Sequence, residues 1–509
     1  MKTKKAIFFL FVFLSYIPVL AQVDTAWVRR YNGPGDSRDQ ATALAVDNTG
    51  NVYVTGDSYS LSFFGYATIK YAPNGDTLWV RRYDGPASGR DEATALAVDD
   101  SGNVYVTGSS SGDYATIKYA SNGDTLWVRR YPGAGGGNAL AVDDIGNVYV
   151  TGWSFGSGTE RDYTTIKYAS NGDTVWVRHF DGPLSGDDRA TALAVDVAGN
   201  VYVTGYVLVD VDTELYFEDY DYATIKYSPD GDTLWVRSYN GPVSGWDEAT
   251  ALVLDDSGNV YVTGTTYLGY GCIDVFCFPI NGEYTTIKYN SNGDTLWVRH
   301  YKESVNSDDR AGALAVDDSG NVYVTGYYAT IKYGPNGDTL WVRQGSGNAL
   351  AVDNSGNVYV TGSRSGNYAT IKYAPNGDTV WVRTYNGPAN LQDVSNALAV
   401  DNNGNVYVTG SIDYEYEVPP FHPGDYGTIK YIQFSCVAKP GDANGDGNIL
   451  LPDIITIINF LFRAAPAPTP LCRGDANANG NVLLSDIVYL INFLFKSGPA
   501  PQKSRECCL

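Results

Sequence analysis

Short apolar runs alternate with polar turns along most of the chain. Residues 95–108, ALAVDDSGNVYVTG, set the pattern. Two β-branched-rich runs, ALAVD and NVYVTG, flank an Asp-x-x-Gly-Asn stretch whose glycine supplies a positive φ, so the segment predicts a β-hairpin. Near-copies start at Ala43, Ala139, Ala192, Ala251, Ala313, Ala349 and Ala397, making eight in all. Successive Asp positions of these copies lie 36 to 62 residues apart. A self-similar period of that size marks a solenoid or a propeller.

The full unit reads ALAVD, NVYVTG, YATIKY and DTLWVRRY, as in residues 95–131. That makes four strands, the last two joined by Asn-Gly-Asp turns. Trp27, Trp79, Trp127, Trp176, Trp235, Trp297, Trp341 and Trp381 fall at one equivalent position. Eight four-stranded units predict an all-β, eight-bladed β-propeller over residues 22–431. The last unit ends at TIKY without a DTLWVRRY, and residues 24–31 carry that strand without its predecessors. Pairing the two ends closes the ring and removes an open sheet edge. These residues resemble the bacterial β-propeller repeat family typified by ALAVD..GNVYVTG. The repeated Lys of TIKY and the Arg after each Trp are expected to decorate strand faces.

Connectivity sorts the loops. The ALAVD–NVYVTG and TIKY–DTLW turns share one face of the disc and are uniformly tight. The other face carries every length variation, including insertions at 206–221, 265–283 and 411–425. Variable loops displayed on a rigid ring are where a carbohydrate or protein ligand is expected. Tyr216, Phe217, Tyr267 and Tyr270 are the candidate contacts there, against the blander reading that they pack the insertions onto the disc. Asp39, Asp91, Asp188, Asp247, Asp309 and Asp393 each precede ALAV by four residues. They are expected to shape turns by accepting backbone amides rather than to form a cation collar.

Beyond a linker at 432–440 the pattern changes to two loop–helix segments. Residues 441–463 read GDANGDGNILLPDIITIINFLFR, and 474–496 read GDANANGNVLLSDIVYLINFLFK. Asp442, Asn444, Asp446, Asn448 (through its carbonyl) and Asp453 have the order of a calcium loop. Asp475, Asn477, Asn479, Asn481 and Asp486 repeat it with one charge fewer. Ca2+ is therefore the expected cofactor. Apolar residues at helical spacing follow each loop. Paired loop–helix segments of this kind resemble the type I dockerin. That resemblance implies calcium-dependent folding and docking onto a cohesin-type scaffold protein, usually in polysaccharide-degrading assemblies. It maps the partner-reading positions to Leu451, Pro452, Leu484 and Ser485, which depart from the common Ser-Thr pair. Residues 497–509 form a C-terminal tail.

Residues 1–21 have the basic start, short apolar run and small-residue cleavage site of a secretory signal, which predicts a secreted, extracellular chain with no membrane span. The net charge of −22 repels nucleic acid. Six Cys in an exported chain favour disulfides, Cys272–Cys277 being the expected pair. No catalytic residues are nominated. A glycoside hydrolase, a quinoprotein-like dehydrogenase and a structural adhesion part are the alternatives to a non-catalytic binding protein. Acidic residues are too numerous for spacing to pick a catalytic pair.

Overall fold

The computed structural model describes residues 22–502 except 36–37, 61–62, 87–88, 134, 156–159, 213–216, 244, 274–275, 305–306, 416–421, 435–439, 447, 464, 469–472 and 478–480. Contacts divide the chain into two units, one of which is Thr25–Ile432. This unit holds eight four-stranded antiparallel sheets. Blade 1 comprises β2 (Asp39–Val46), β3 (Val52–Ser60), β4 (Phe63–Tyr71) and β5 (Thr77–Tyr83). Blades 2 to 7 follow at residues 91–131, 135–180, 189–239, 247–301, 311–344 and 349–385, and contain β6 to β29. Blade 8 is β30 (Gln392–Val400), β31 (Val406–Glu415), β32 (His422–Phe434) and, from the other end of the chain, β1 (Gln22–Tyr31). The ring is an eight-bladed propeller closed by its N-terminal strand.

Each hairpin is locked locally. In blade 1 the Asp47 carboxylate accepts the backbone N–H groups of Thr49 and Asn51, the Asn51 side-chain amide and the Tyr53 hydroxyl, at 2.7–2.9 Å. Gly50, at φ 82°, makes the reversal that a side chain would strain. These bonds hold the Asp47 carboxyl below its usual range against the opposing effect of burial. The same turn recurs around Asp99, Asp255 and Asp317.

The core lies between blades rather than within them. Tyr53, Tyr66 and Trp79 of blade 1 pack with Val104, Val106, Ala115, Ile117 and Tyr119 of blade 2. A sheet has two faces, so each blade buries one against each neighbour. The Lys and Arg expected on strand faces are instead joints between blades. The Trp79 indole N–H and the Lys70 ammonium both donate to the Ser121 carbonyl of the next blade, at 3.2 and 3.1 Å. Arg81 donates to Gly123 there. The double donation to one carbonyl recurs at Ser170, Pro229, Ser291, Pro335 and Pro375. It also occurs at the closure, where Trp27 and Lys430 of blade 8 meet the Pro73 carbonyl of blade 1. An inner ring adds a second seam. Thr42, extruded by a bulge between Ala41 and Ala43, donates to Ala93, and Asn396 of blade 8 donates to Ala41.

The second unit carries α1 (Leu451–Arg463) and α2 (Leu484–Lys496), one after each acidic loop. Ile454, Ile457, Ile487 and Leu490 form its core with Ala443, Ala476 and Val482. Among the described residues no helix is long and apolar enough to cross a membrane.

Candidate functional site

On the tight-turn face, clefts of 270, 330, 300 and 210 Å³ lie between neighbouring blades. The first is lined by Asp317, Lys332 and Asp353. Both aspartates are spent on their own turns, and the Lys332 ammonium donates to Pro375. These clefts are by-products of the joint: their inner carboxylates and ammonium are taken, and the rest of the polar lining of the first, Asp318, Ser319, Asn354 and Ser355, is exposed at the turn tips.

The long-connection face is built differently. The six aspartates that precede ALAV by four residues are buried, and each accepts a backbone N–H from the loop entering its blade, at 2.5–2.8 Å. They shape turns, as the sequence suggests. Burial pushes Asp188 up to about 7 and Asp247 up to about 8, with Asp219 and Asp221 adding like charge near Asp247.

Above this layer runs a belt of aromatic and guanidinium groups across blades 3 to 6. The Arg161 and Arg189 guanidiniums lie 4.6 and 5.5 Å from the Trp153 ring, and both bond Asp187. Tyr220 stacks on Trp246 at 4.7 Å, with Tyr206 against both. The Arg310 guanidinium sits 5.6 Å from the Tyr267 ring and bonds Asp308. The Glu248 carboxyl is raised by burial, opposed by the nearby Arg310 and Arg189.

Of the four ligand candidates, Tyr267 is buried at 5% exposure, and the half-buried Tyr270 donates its hydroxyl to the Glu218 carbonyl. These two pack the insertions of blades 4 and 5. Tyr216 and the Phe217 side chain lie outside the described residues. Sequence reasoning passed over Trp153 and Trp246. Their signal was available, since they are the two of ten Trp that stand off the repeat position. Cys272 and Cys277 face each other in register across β19 (Val260–Ile273) and β20 (Phe276–Tyr289). Their side chains and the other four Cys lie outside the described residues.

A family model described as the beta-propeller repeat matches residues 26–64, 79–115 and 381–414. No curated protein matches the chain. Among solved structures, Sqt1 of Chaetomium thermophilum bound to the N-terminus of ribosomal protein L10 is 10% identical, with TM-score 0.50 over 79% of this chain and 98% of that one. A Lactobacillus plantarum protein is 13% identical, with TM-score 0.43 over 67% and 96%. A Bacteroides caccae protein of unknown function is 12% identical, with TM-score 0.32 over 61% and 94%. At these identities the likeness is one of fold.

In the helical unit the two loops share one geometry. Asp453 accepts the N–H groups of Asn444 and Leu450 at 3.1 and 2.7 Å, and Asp486 those of Asn477 and Leu483 at 3.1 and 2.9 Å. Each Asp thus ties its loop to the first turn of the helix behind it. Asp442, Asp453, Asp475 and Asp486 are buried, while Asn444, Asp446, Asn448 and Asn481 are exposed. Asn479 lies outside the described residues. Burial and the charges of Asp442 and Asp446 raise the Asp453 carboxyl. Among the described residues no three acidic or His/Cys side chains stand ready to hold an ion. The described donors fit a hard dication in type and order. Leu451, Pro452, Leu484 and Ser485 are all exposed at the helix starts.

Proposed function

We propose that the protein is a secreted, non-catalytic β-propeller binding protein, carried on a calcium-dependent module that docks onto a cohesin-type scaffold in a polysaccharide-degrading assembly. The propeller holds the carbohydrate or protein ligand on its long-connection face. The observation that carries the docking half is a duplicated apolar surface. Leu450, Leu451, Ile455 and Phe462 are 48–65% exposed, and their counterparts Leu483, Leu484, Val488 and Phe495 are 50–65% exposed. A unit with so small a core does not leave eight large apolar side chains in water for its own stability. Helix faces of this kind suit burial against a partner. Calcium would draw Asp442, Asn444, Asp446, the Asn448 carbonyl and Asp453 together, with the corresponding second-loop residues, and so fix the helices that present this surface. The chain's own part is to supply oxygen ligands and to couple loop to helix through Asp453 and Asp486.

The test uses the full chain, in calcium and in excess chelator. Helical signal and retention on immobilised type I cohesin should both fall on chelation, and Leu451→Asp with Leu484→Asp should abolish retention while preserving helicity. Equal helicity with and without chelator, or no retention on any cohesin tested, refutes the reading.

A further inference from the structure

The chain contains 41 Tyr. Most of the described ones are buried in the joints between blades or in the packing of the insertions, and among the described residues only Tyr327 and Tyr328 are exposed, at 60% and 40%. They are consecutive, and they form the whole connection between β23 (Val322–Gly326) and β24 (Ala329–Tyr333) of blade 6. A two-residue link normally takes Gly, Asn or Asp. Two bulky rings this open to water at that place belong to no core cluster among the described residues.

The platform is rigid. The Tyr327 N–H donates to the Arg310 carbonyl at 2.9 Å. The Tyr328 and Ala329 N–H groups share the Tyr284 hydroxyl at 3.3 Å, and the Tyr328 carbonyl accepts the Gly345 N–H at 2.9 Å. The rings therefore project from a backbone already ordered, which lowers the entropic cost of binding. Blade 5 stands much taller beside it. β19 runs on to Ile273, nine residues past Gly264, where blade 6 stops at the equivalent Gly326. That is roughly 30 Å of extra strand at 3.3 Å per residue. β19 and β20 form a wall beside β22 (Ala311–Val316), and the Tyr327 and Tyr328 rings, 6.1 Å apart, are tilted 59° to each other, so each presents its own face.

Arg310 occupies the corner. Its guanidinium lies over Tyr267 on the wall, and its Nε and Nη2 bond Asp308 Oδ2 at 3.1 and 2.7 Å. Both side chains remain open, at 53% and 42% exposure. The pair shares one oxygen, Asp308 Oδ2, while Asp308 Oδ1 accepts the Gly282 N–H, so the remaining guanidinium N–H groups and carboxylate lone pairs are what adjacent hydroxyls can meet, and exposed rings offer a face to the C–H side of a pyranose.

We propose that this blade 5–6 corner is a binding subsite for a neutral polysaccharide chain, with Tyr327 and Tyr328 stacking on the sugar rings and the Arg310–Asp308 pair bonding their hydroxyls. Charge decides for a neutral chain over an anionic one. Arg310 is already balanced by Asp308, and the chain's net charge of −22 repels a polyanion at a distance. The inference rests on reading the propeller as the ligand-binding part and is independent of the helical module.

The experiment is affinity electrophoresis of the full chain through gels containing cellulose derivatives, xylan, mannan or polygalacturonate, with calcium and with chelator. At least one neutral polysaccharide should retard the protein under both conditions. Tyr327→Ala with Tyr328→Ala should weaken that retardation at least tenfold, Tyr327→Phe with Tyr328→Phe should keep it, and Arg310→Gln should weaken it. An unchanged urea midpoint in each variant shows that folding is intact. The proposal is overturned if no neutral chain retards the protein, if only polygalacturonate does, or if the alanine pair binds as the unsubstituted chain does. Retention on cohesin is read separately, so loss of docking with intact glycan binding strikes the scaffold reading alone.

Discussion

The interblade joint makes a quantitative prediction, because two donors of different kinds share one acceptor. Replacing Trp79 by Ala removes an indole that is 8% exposed and packed against Tyr53 and Tyr119 at ring distances of 6.3 and 6.1 Å. Losing so large a buried side chain costs about 3–5 kcal/mol. The Ser121 carbonyl is not orphaned, since Lys70 still donates to it. Replacing Lys70 by Met removes that hydrogen bond, worth about 1.5–3 kcal/mol for a charged donor, and a cation–π contact of about 0.5–1 kcal/mol with Tyr53. It also ends the burial of an ammonium whose pKa desolvation lowers, and it retains the apolar stem. These effects oppose one another, so Lys70→Met alone should cost no more than about 1.5 kcal/mol, well below Trp79→Ala. The double variant leaves the carbonyl of the exposed Ser121 to water, which replaces part of the lost bonding, and should cost about 0.5–1.5 kcal/mol more than the sum of the two. Urea unfolding of the full chain in constant calcium, with midpoints and slopes compared across the four proteins, reads all three values. Additivity within about 0.5 kcal/mol, or a Lys70→Met loss exceeding that of Trp79→Ala, refutes the shared-acceptor account.

Two further outcomes are expected. Burial raises Asp188 to about 7 and Asp247 to about 8, so the folded chain holds protons that the unfolded chain has released. Their stabilising contribution is complete below about pH 4 and is lost as pH rises toward 8, whereas the lowered turn carboxylates such as Asp99 and Asp317 stabilise fully above about pH 4 and lose that contribution only as pH falls below it. The urea midpoint should fall across pH 5–9 with a shallower slope in Asp247→Asn, and identical slopes would show that Asp247 does not titrate there. The register that sets Cys272 opposite Cys277 predicts a bridge closing the β19–β20 hairpin. Alkylation without reductant should leave both residues unmodified, and recovery of either as the alkylated thiol would refute it.

Much of the propeller was legible in the chain because its signals are local. A hairpin needs only its own apolar alternation and a glycine at positive φ, and Asp47, Gly50 and Asn51 lie within five residues of each other. Eight copies gave the blade count, and a first strand without predecessors facing a last unit without its fourth strand gave the closure seen between β1 and β32. The paired acidic loops were equally local. The partners of Lys70, Trp79 and Arg81 were not, because all three donate to residues 42–51 positions away on another blade. Strand faces look alike in sequence whether they meet water or the next sheet, and only the curvature of the ring decides which. The same limit governed the ligand face. Tyr267, Tyr270, Tyr327 and Tyr328 are one residue type in one kind of connection. The tall hairpin of blade 5 packs the first two, while the two-residue link of blade 6 leaves the second two in solvent. Sequence alone set the residues and the repeat; loop height relative to the neighbouring blade, a tertiary quantity, decided which aromatic rings can meet a ligand.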